Sequence, residues 1–101
     1  MVSKHYFAVI FTSTLIDNPI GYHEMALKME ELARQQHGFI DISSARNETG
    51  ITVSYWETEQ AILNWKANID HQLAQKLGKS TWYASYKVEI ARVERSYVFS
   101  K

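Results

Sequence analysis

The sequence predicts an α+β fold: one four-stranded antiparallel sheet with two helices on one face, in the ferredoxin-like order β-α-β-β-α-β. Three observations predict it. Four stretches rich in β-branched and aromatic residues alternate with period two. Two intervening stretches place their apolar residues at helical spacing. A turn signal, Asn47-Glu48-Thr49-Gly50, separates the second and third strands and makes them an antiparallel hairpin.

The first strand covers residues 4–14, with Tyr6, Ala8 and Ile10 on one face and Phe7, Val9 and Phe11 on the other. Both faces are apolar, so both need cover. Asp17-Asn18-Pro19 starts the first helix. Either Asn18 or Asp17 can cap it, and Pro19 loses nothing near the first helical position because it has no N–H to leave unpaired. The helix runs over 20–36 with Tyr22, Met25, Ala26, Met29, Leu32 and Ala33 on its inward stripe, and Gly38 suits the left-handed residue that ends it. The second strand covers 39–47 and the third 51–57. Thr58 is the expected N-cap of the second helix, followed by Glu59 at the positive end of the helix dipole. Ala61, Ile62, Trp65 and Ile69 form its inward stripe. Leu73 and Leu77 do not line up with Trp82, Tyr83 and Tyr86, which predicts a break near Asn68 and another near Gly78. The last strand is expected over 87–99, with a bulge or a change of cover where its apolar side switches at Ile90-Ala91.

Composition bounds the function. The 101 residues make one domain, 1–101, with 46% hydrophobic and 22% charged side chains. Eleven basic and eleven acidic groups cancel, which argues against a nucleic-acid or anionic-membrane partner. No apolar run approaches membrane-helix length and no secretory leader is recognisable, so a cytoplasmic protein is expected. With no cysteine there is no disulfide, thiolate metal site or cysteine nucleophile. His5, His23, His37 and His71 lack metal-ligand spacing, and the four glycines are too scattered for a phosphate loop. Aromatic residues, at 13%, are the unusual feature: they pack cores and interfaces, and they wall pockets for flat ligands. Two helices cover only one sheet face, and a second copy of the chain is the expected cover for the other.

Gly38-Phe39-Ile40, Ser54-Tyr55-Trp56, Glu59-Gln60-Ala61-Ile62, Trp65-Lys66, His71, Ala74-Gln75, Gly78, Trp82-Tyr83, Tyr86 and Val93-Glu94-Arg95-Ser96-Tyr97 together resemble the antibiotic biosynthesis monooxygenase-like (ABM-like) family. The resemblance implies a dimeric α/β barrel. It also implies three possible activities. The first is oxidation of aromatic rings by O₂ without metal or flavin, and the second is heme binding or degradation. The third is action on quinones or reactive aldehyde-type metabolites. The ring-oxidising group has a Trp ending the third strand, an Asn four positions earlier and a Tyr six later; here Trp56 matches, while Thr52 and Ile62 occupy the other two positions. The heme group has a Trp nine positions after the strand-ending aromatic, which Trp65 matches. Its ligand His, ten residues further on, is replaced by Gln75, and its first-strand Asn has no counterpart near Phe11 and Thr12.

The candidate catalytic residue is His71, expected between helical pieces and titrating near neutrality, where it can serve as base toward a phenol. A helix-capping or surface His accounts for the same position. Trp56, Trp65, Trp82, Tyr83 and Tyr86 are the candidate substrate-binding residues. Tyr86 lies four positions after Trp82, a spacing that suits one helix face, and packing alone accounts for the same rings. Arg46, Arg92 and Arg95 are expected mainly in salt bridges, given Glu48 and Glu94 nearby. The leading expectation is a cofactor-independent monooxygenase acting on a small aromatic or quinone-type ligand. The alternatives are a non-catalytic binder of hydrophobic metabolites and a heme protein.

Overall fold

The computed structural model describes residues 5–76 and 82–101, with residues 70–76 described by their backbone. Its elements are β1 (Tyr6–Leu15), α1 (Tyr22–Arg34), β2 (Phe39–Arg46), β3 (Gly50–Trp56), α2 (Glu59–Lys76) and β4 (Tyr83–Val93). The sheet order is β2-β3-β1-β4, with every neighbouring pair antiparallel. This is the predicted ferredoxin-like architecture.

Register assigns the two faces, because directly opposed residues project to the same side. Phe7, Val9, Phe11 and Ser13 of β1 face the helices, together with Trp56, Ser54, Thr52 and Gly50 of β3 and Arg92, Ile90, Val88 and Tyr86 of β4. Tyr6, Ala8, Ile10, Val53 and Tyr55 lie on the other face, where Tyr6 and Tyr55 meet edge-on at 5.9 Å.

Two apolar clusters join sheet to helices. Val9, Ala33, Ile42, Trp56, Ala61 and Ile62 form one, with Phe7, Phe39 and Trp65 against it. Met25 and Trp82 form the other, flanked by Leu15, Tyr22, Met29, Ile69 and Tyr83. The predicted inward stripes of both helices supply these residues. α1 packs on β2 and α2 on β3, leaving the helix side of β4 only partly roofed.

Several boundaries differ from the sequence reading. Neither Asp17 nor Asn18 caps α1: the cap position is Gly21, left-handed at φ 82°, and it makes no side-chain cap bond. Asn18 is itself left-handed at φ 56°, and Ile20 N–H donates to its carbonyl at 2.9 Å. Asn tolerates that conformation, so the segment turns before it becomes helical. Gly38 does take the left-handed conformation, at φ 87°, but just before β2, three residues past the Gln35 C-cap. The expected break near Asn68 is not there, since α2 runs through it. One Asn costs a helix under about 0.7 kcal/mol, less than the packing of Trp65 and Ile69 on either side contributes. The expected break at Gly78 lies outside the described residues.

β4 begins at Tyr83 rather than Lys87 and ends at Val93 rather than Phe99. Its length follows from its partner, since Val93 pairs with Tyr6 and Tyr83 with Leu15, the two ends of β1. The predicted helical face at Trp82, Tyr83 and Tyr86 is therefore corrected to the start of a strand. Register stays regular through Ile90 and Ala91; the irregularity falls instead between Thr14 and Leu15, opposite Ser85 and Tyr83. The switch of apolar side at Ile90-Ala91 reflects a strand with two partly apolar faces.

Candidate active site

A cross-strand row organises one end of the helix-side face. Arg46, Gly50, Ser13 and Tyr86 stand opposite one another across β2, β3, β1 and β4. Gly50 has no side chain and Ser13 a small one, so the Arg46 side chain lies across both. A Cβ on Gly50 would collide with the guanidinium. Arg46 donates to the Ser13 hydroxyl and, at 3.5 Å, to the Ser13 carbonyl. Its guanidinium sits 5.3 Å from the centre of the Tyr22 ring, a cation–π distance.

Around that cation lies a set of rings. Tyr83 meets Tyr22 edge-on at 5.9 Å, Phe11 at 5.4 Å and Tyr86 at 5.7 Å. Tyr86 stacks on Phe11 at 5.6 Å, and Tyr22 contacts Trp82 at 6.5 Å. Trp82 is fully buried and donates its indole N–H to the Ile20 carbonyl at 2.9 Å, tying the start of β4 to the turn before α1. Burial, reinforced by the neighbouring Tyr22, pushes the Tyr83 hydroxyl up to about 12, although Arg46 pulls the other way. Tyr83 therefore remains a neutral hydroxyl near neutrality and shares a hydrogen bond with Tyr22.

A second aromatic group occupies the other end of the same face. Trp56 is fully buried and donates its indole N–H to Ser54 Oγ at 2.8 Å. Phe39 meets Trp56 edge-on at 5.5 Å, and Trp65 of α2 lies 5.0 Å from it at a 33° tilt. The Trp65 Nε1–H is buried and has no hydrogen-bond partner among the described residues. Between the two groups run Val9 and Phe11 of β1, with Ile90 and Val88 of β4 alongside. An open cleft of about 320 Å³, lined by Phe7, Glu59, Ile90, Arg92 and Glu94, marks where α2 and β4 part.

The structure thus brings Trp82, Tyr83 and Tyr86 together, and separately brings Trp56 and Trp65 together. His71 falls on α2 rather than in a break, and its side chain lies outside the described residues. The sequence reading missed Phe11 and Tyr22 as site residues because each sits on an ordinary inward stripe. It read Arg46 as a salt-bridge residue, whereas its described partners are Ser13 and Tyr22. Arg92 does form the expected salt bridge, with Nε 2.6 Å from Glu94 Oε2. Among the described residues no group of three or more His, Asp or Glu side chains could hold a metal ion, and no helix is long and apolar enough to cross a membrane.

Strand order and helix placement define the fold class, a ferredoxin-like fold shared with ABM proteins. The chain is similar in structure to a point mutant of SnoaB, a cofactor-independent oxygenase from Streptomyces nogalater. The TM-score is 0.69 and the identity 10%, over 90% of this chain and 95% of that one. A proposed antibiotic biosynthesis monooxygenase from Nitrosomonas europaea matches with a TM-score of 0.66 and 12% identity, over 93% and 94% of the two chains. A point mutant of MhuD, with two manganese protoporphyrin IX bound per active site, matches at 0.69 and 14%, over 92% and 99%. At these identities the likeness is one of fold. No family model matches the chain. In sequence it is 44% identical over 98 residues to the uncharacterized protein YqjZ of Bacillus subtilis (strain 168), spanning 95% of this chain and 86% of that one. The chain belongs to the same family as YqjZ.

Proposed function

We propose that this protein is a cofactor-independent monooxygenase acting on a small aromatic or quinone-type compound, and that it works as a cytoplasmic homodimer. The observation that carries the reading is the buried indole N–H of Trp65, which has no partner among the described residues. Leaving such a donor without an acceptor costs about 1–3 kcal/mol. A phenol or quinone oxygen is an acceptor of the right chemistry, and Phe7 and Ile90, which line the neighbouring cleft, offer apolar surface to the rest of such a ligand.

The reaction needs little from the protein beyond binding, orientation and one base. A phenol gives its O–H proton to that base, for which His71 is the candidate. The phenolate passes an electron to O₂, and the resulting radical pair joins at a ring carbon bearing hydrogen. The peroxide then loses water, so that one phenol and one O₂ give one quinone and one water. Held as a donor by burial, Tyr83 cannot be the base near neutrality.

The test is oxygen uptake by the purified protein with a panel of phenols and naphthols. Trp65→Phe and His71→Ala are each expected to lower the rate about a hundredfold or more, the range typical for loss of a positioned donor or base. If no compound drives uptake, the monooxygenase reading fails. Ligand-dependent thermal stabilisation without turnover would then assign the site to a binder of hydrophobic metabolites.

A further inference from the structure

Arg34 meets the Glu30 carboxylate at 3.0 Å, and Arg92 meets that of Glu94 at 2.6 Å. Arg46 is placed differently. Its described partners are the hydroxyl and carbonyl of Ser13 and the ring of Tyr22, and no carboxylate among the described residues pairs with it, although Glu48 stands two positions on. Those two hydrogen bonds leave most of the guanidinium's donors without an acceptor among the described residues. The group is nonetheless held in place, with Ser13 on one side, Tyr22 on another at 5.3 Å and the bare Gly50 backbone beneath. Its orientation is fixed before any ligand arrives, which removes part of the entropic cost of binding.

The surroundings are rich in donors and poor in acceptors. Ser13 is 2% exposed, and its oxygen accepts from Arg46 while its own O–H proton has no acceptor among the described residues. Tyr22 and Tyr83 share a hydrogen bond, which uses one of their two hydroxyl protons. Burial keeps the Tyr83 hydroxyl protonated, so it adds a donor here and no counter-charge for Arg46. Flat apolar surface lies alongside. Tyr86 stacks on Phe11 with ring centres 5.6 Å apart and planes 25° apart, and Tyr86 is 52% exposed. Arg46 is exposed too, so a ligand reaches both from solution.

We propose that Arg46, Ser13 and the Tyr22–Tyr83 hydroxyl pair form a second binding site, one for a small aromatic carboxylate whose ring lies against Tyr86 and Phe11. An ionised carboxylate only accepts hydrogen bonds, and its two oxygens match the planar fork of a guanidinium. The attached ring suits the exposed aromatic surface beside it. The formal net charge of zero gives no general pull on anions, so recognition is local to these groups. The site is separate from the Trp65 donor. Phe7 stands opposite Trp56 and Ser13 opposite Gly50, and six residues of β1 between those rows span about 20 Å. A one- or two-ring acid does not bridge that distance, so the inference does not depend on the monooxygenase reading.

The test is calorimetric titration of the full chain with 2-naphthoate near neutral pH, with the uncharged 2-naphthamide as control. Naphthoate is expected to bind at least about tenfold more tightly than the amide. Arg46→Gln is expected to lower naphthoate affinity at least about tenfold and Tyr86→Ala about threefold or more, while Trp65→Phe leaves it within about twofold. Absence of naphthoate binding up to about 1 mM would overturn the proposal. Equal affinity for the amide, or an unchanged affinity in Arg46→Gln, would do the same. Loss of naphthoate binding in a folded Trp65→Phe would place the ligand at the Trp65 end and overturn the second site. Should Arg46→Gln fail to fold, Tyr86→Ala decides, because it trims an exposed ring, and an unchanged affinity there overturns the proposal.

Discussion

Tyr83 shows how one side chain takes its chemistry from position. On an exposed strand it would ionise near pH 10. Here burial, and then Tyr22, hold it up to about 12 against the pull of Arg46. The consequence for stability has a definite sign. Below pH 10 the hydroxyl is protonated whether the chain is folded or unfolded, and its preference for the folded state is fully present. Between pH 10 and about 12 the unfolded chain releases the proton while the folded chain retains it, so stability falls as pH rises. Denaturant midpoints should therefore decline over that window and decline less steeply in Tyr83→Phe. Near-ultraviolet titration should show one tyrosine of the six ionising after the rest. Identical alkaline slopes for the two proteins would contradict the assignment.

The elements were legible in the sequence to different degrees, and the differences have physical causes. β1, the β2–β3 hairpin and the Thr58 cap rest on local chemistry, and the structure bears them out, although the hairpin connection is 47–49, Gly50 already opens β3, and neither Asn47 nor Gly50 takes a positive φ. Thr58 Oγ1 accepts the Ala61 N–H at 3.1 Å, as an N-cap should. The start of β4 was misread because Trp82 and Tyr86 happen to be four apart, a helical spacing, while the β1 edge that fixes the strand lies about 70 residues away in sequence. Of the site, the rings were visible as residue types, but their division into two groups was not. Arg46 could not be placed at all, since its position depends on empty space above Gly50 on another strand. Gly38 joins both kinds of information. Its left-handed φ was expected from sequence, yet only the structure shows the Ala61 Cβ of α2 2.7 Å from where a Cβ would stand. Gly38→Ala combines backbone strain with a clash between α2 and the β2 entry, and is expected to cost about 2–4 kcal/mol in urea unfolding. A loss below about 1 kcal/mol would mean that α2 can move away from that turn freely.

At the scale of the whole molecule, shape carries the argument. The radius of gyration is 14.7 Å, against about 13 Å for a compact domain of 100 residues, and the longest axis is 49 Å against a shortest of 22 Å. A thickness of 22 Å is one sheet and one helix layer. The sheet face bearing Tyr6, Ala8, Ile10, Val53 and Tyr55 therefore has no second layer among the described residues. If a second copy supplies that layer, as proposed, folding and association are one equilibrium, and stability depends on concentration. The midpoint of thermal unfolding is then expected to rise by about 3 °C for each tenfold increase in protein, given the unfolding entropy of two chains of this size. A midpoint independent of concentration over about a hundredfold range would mean that one chain is stable with its second face in water, and the homodimer reading would fail.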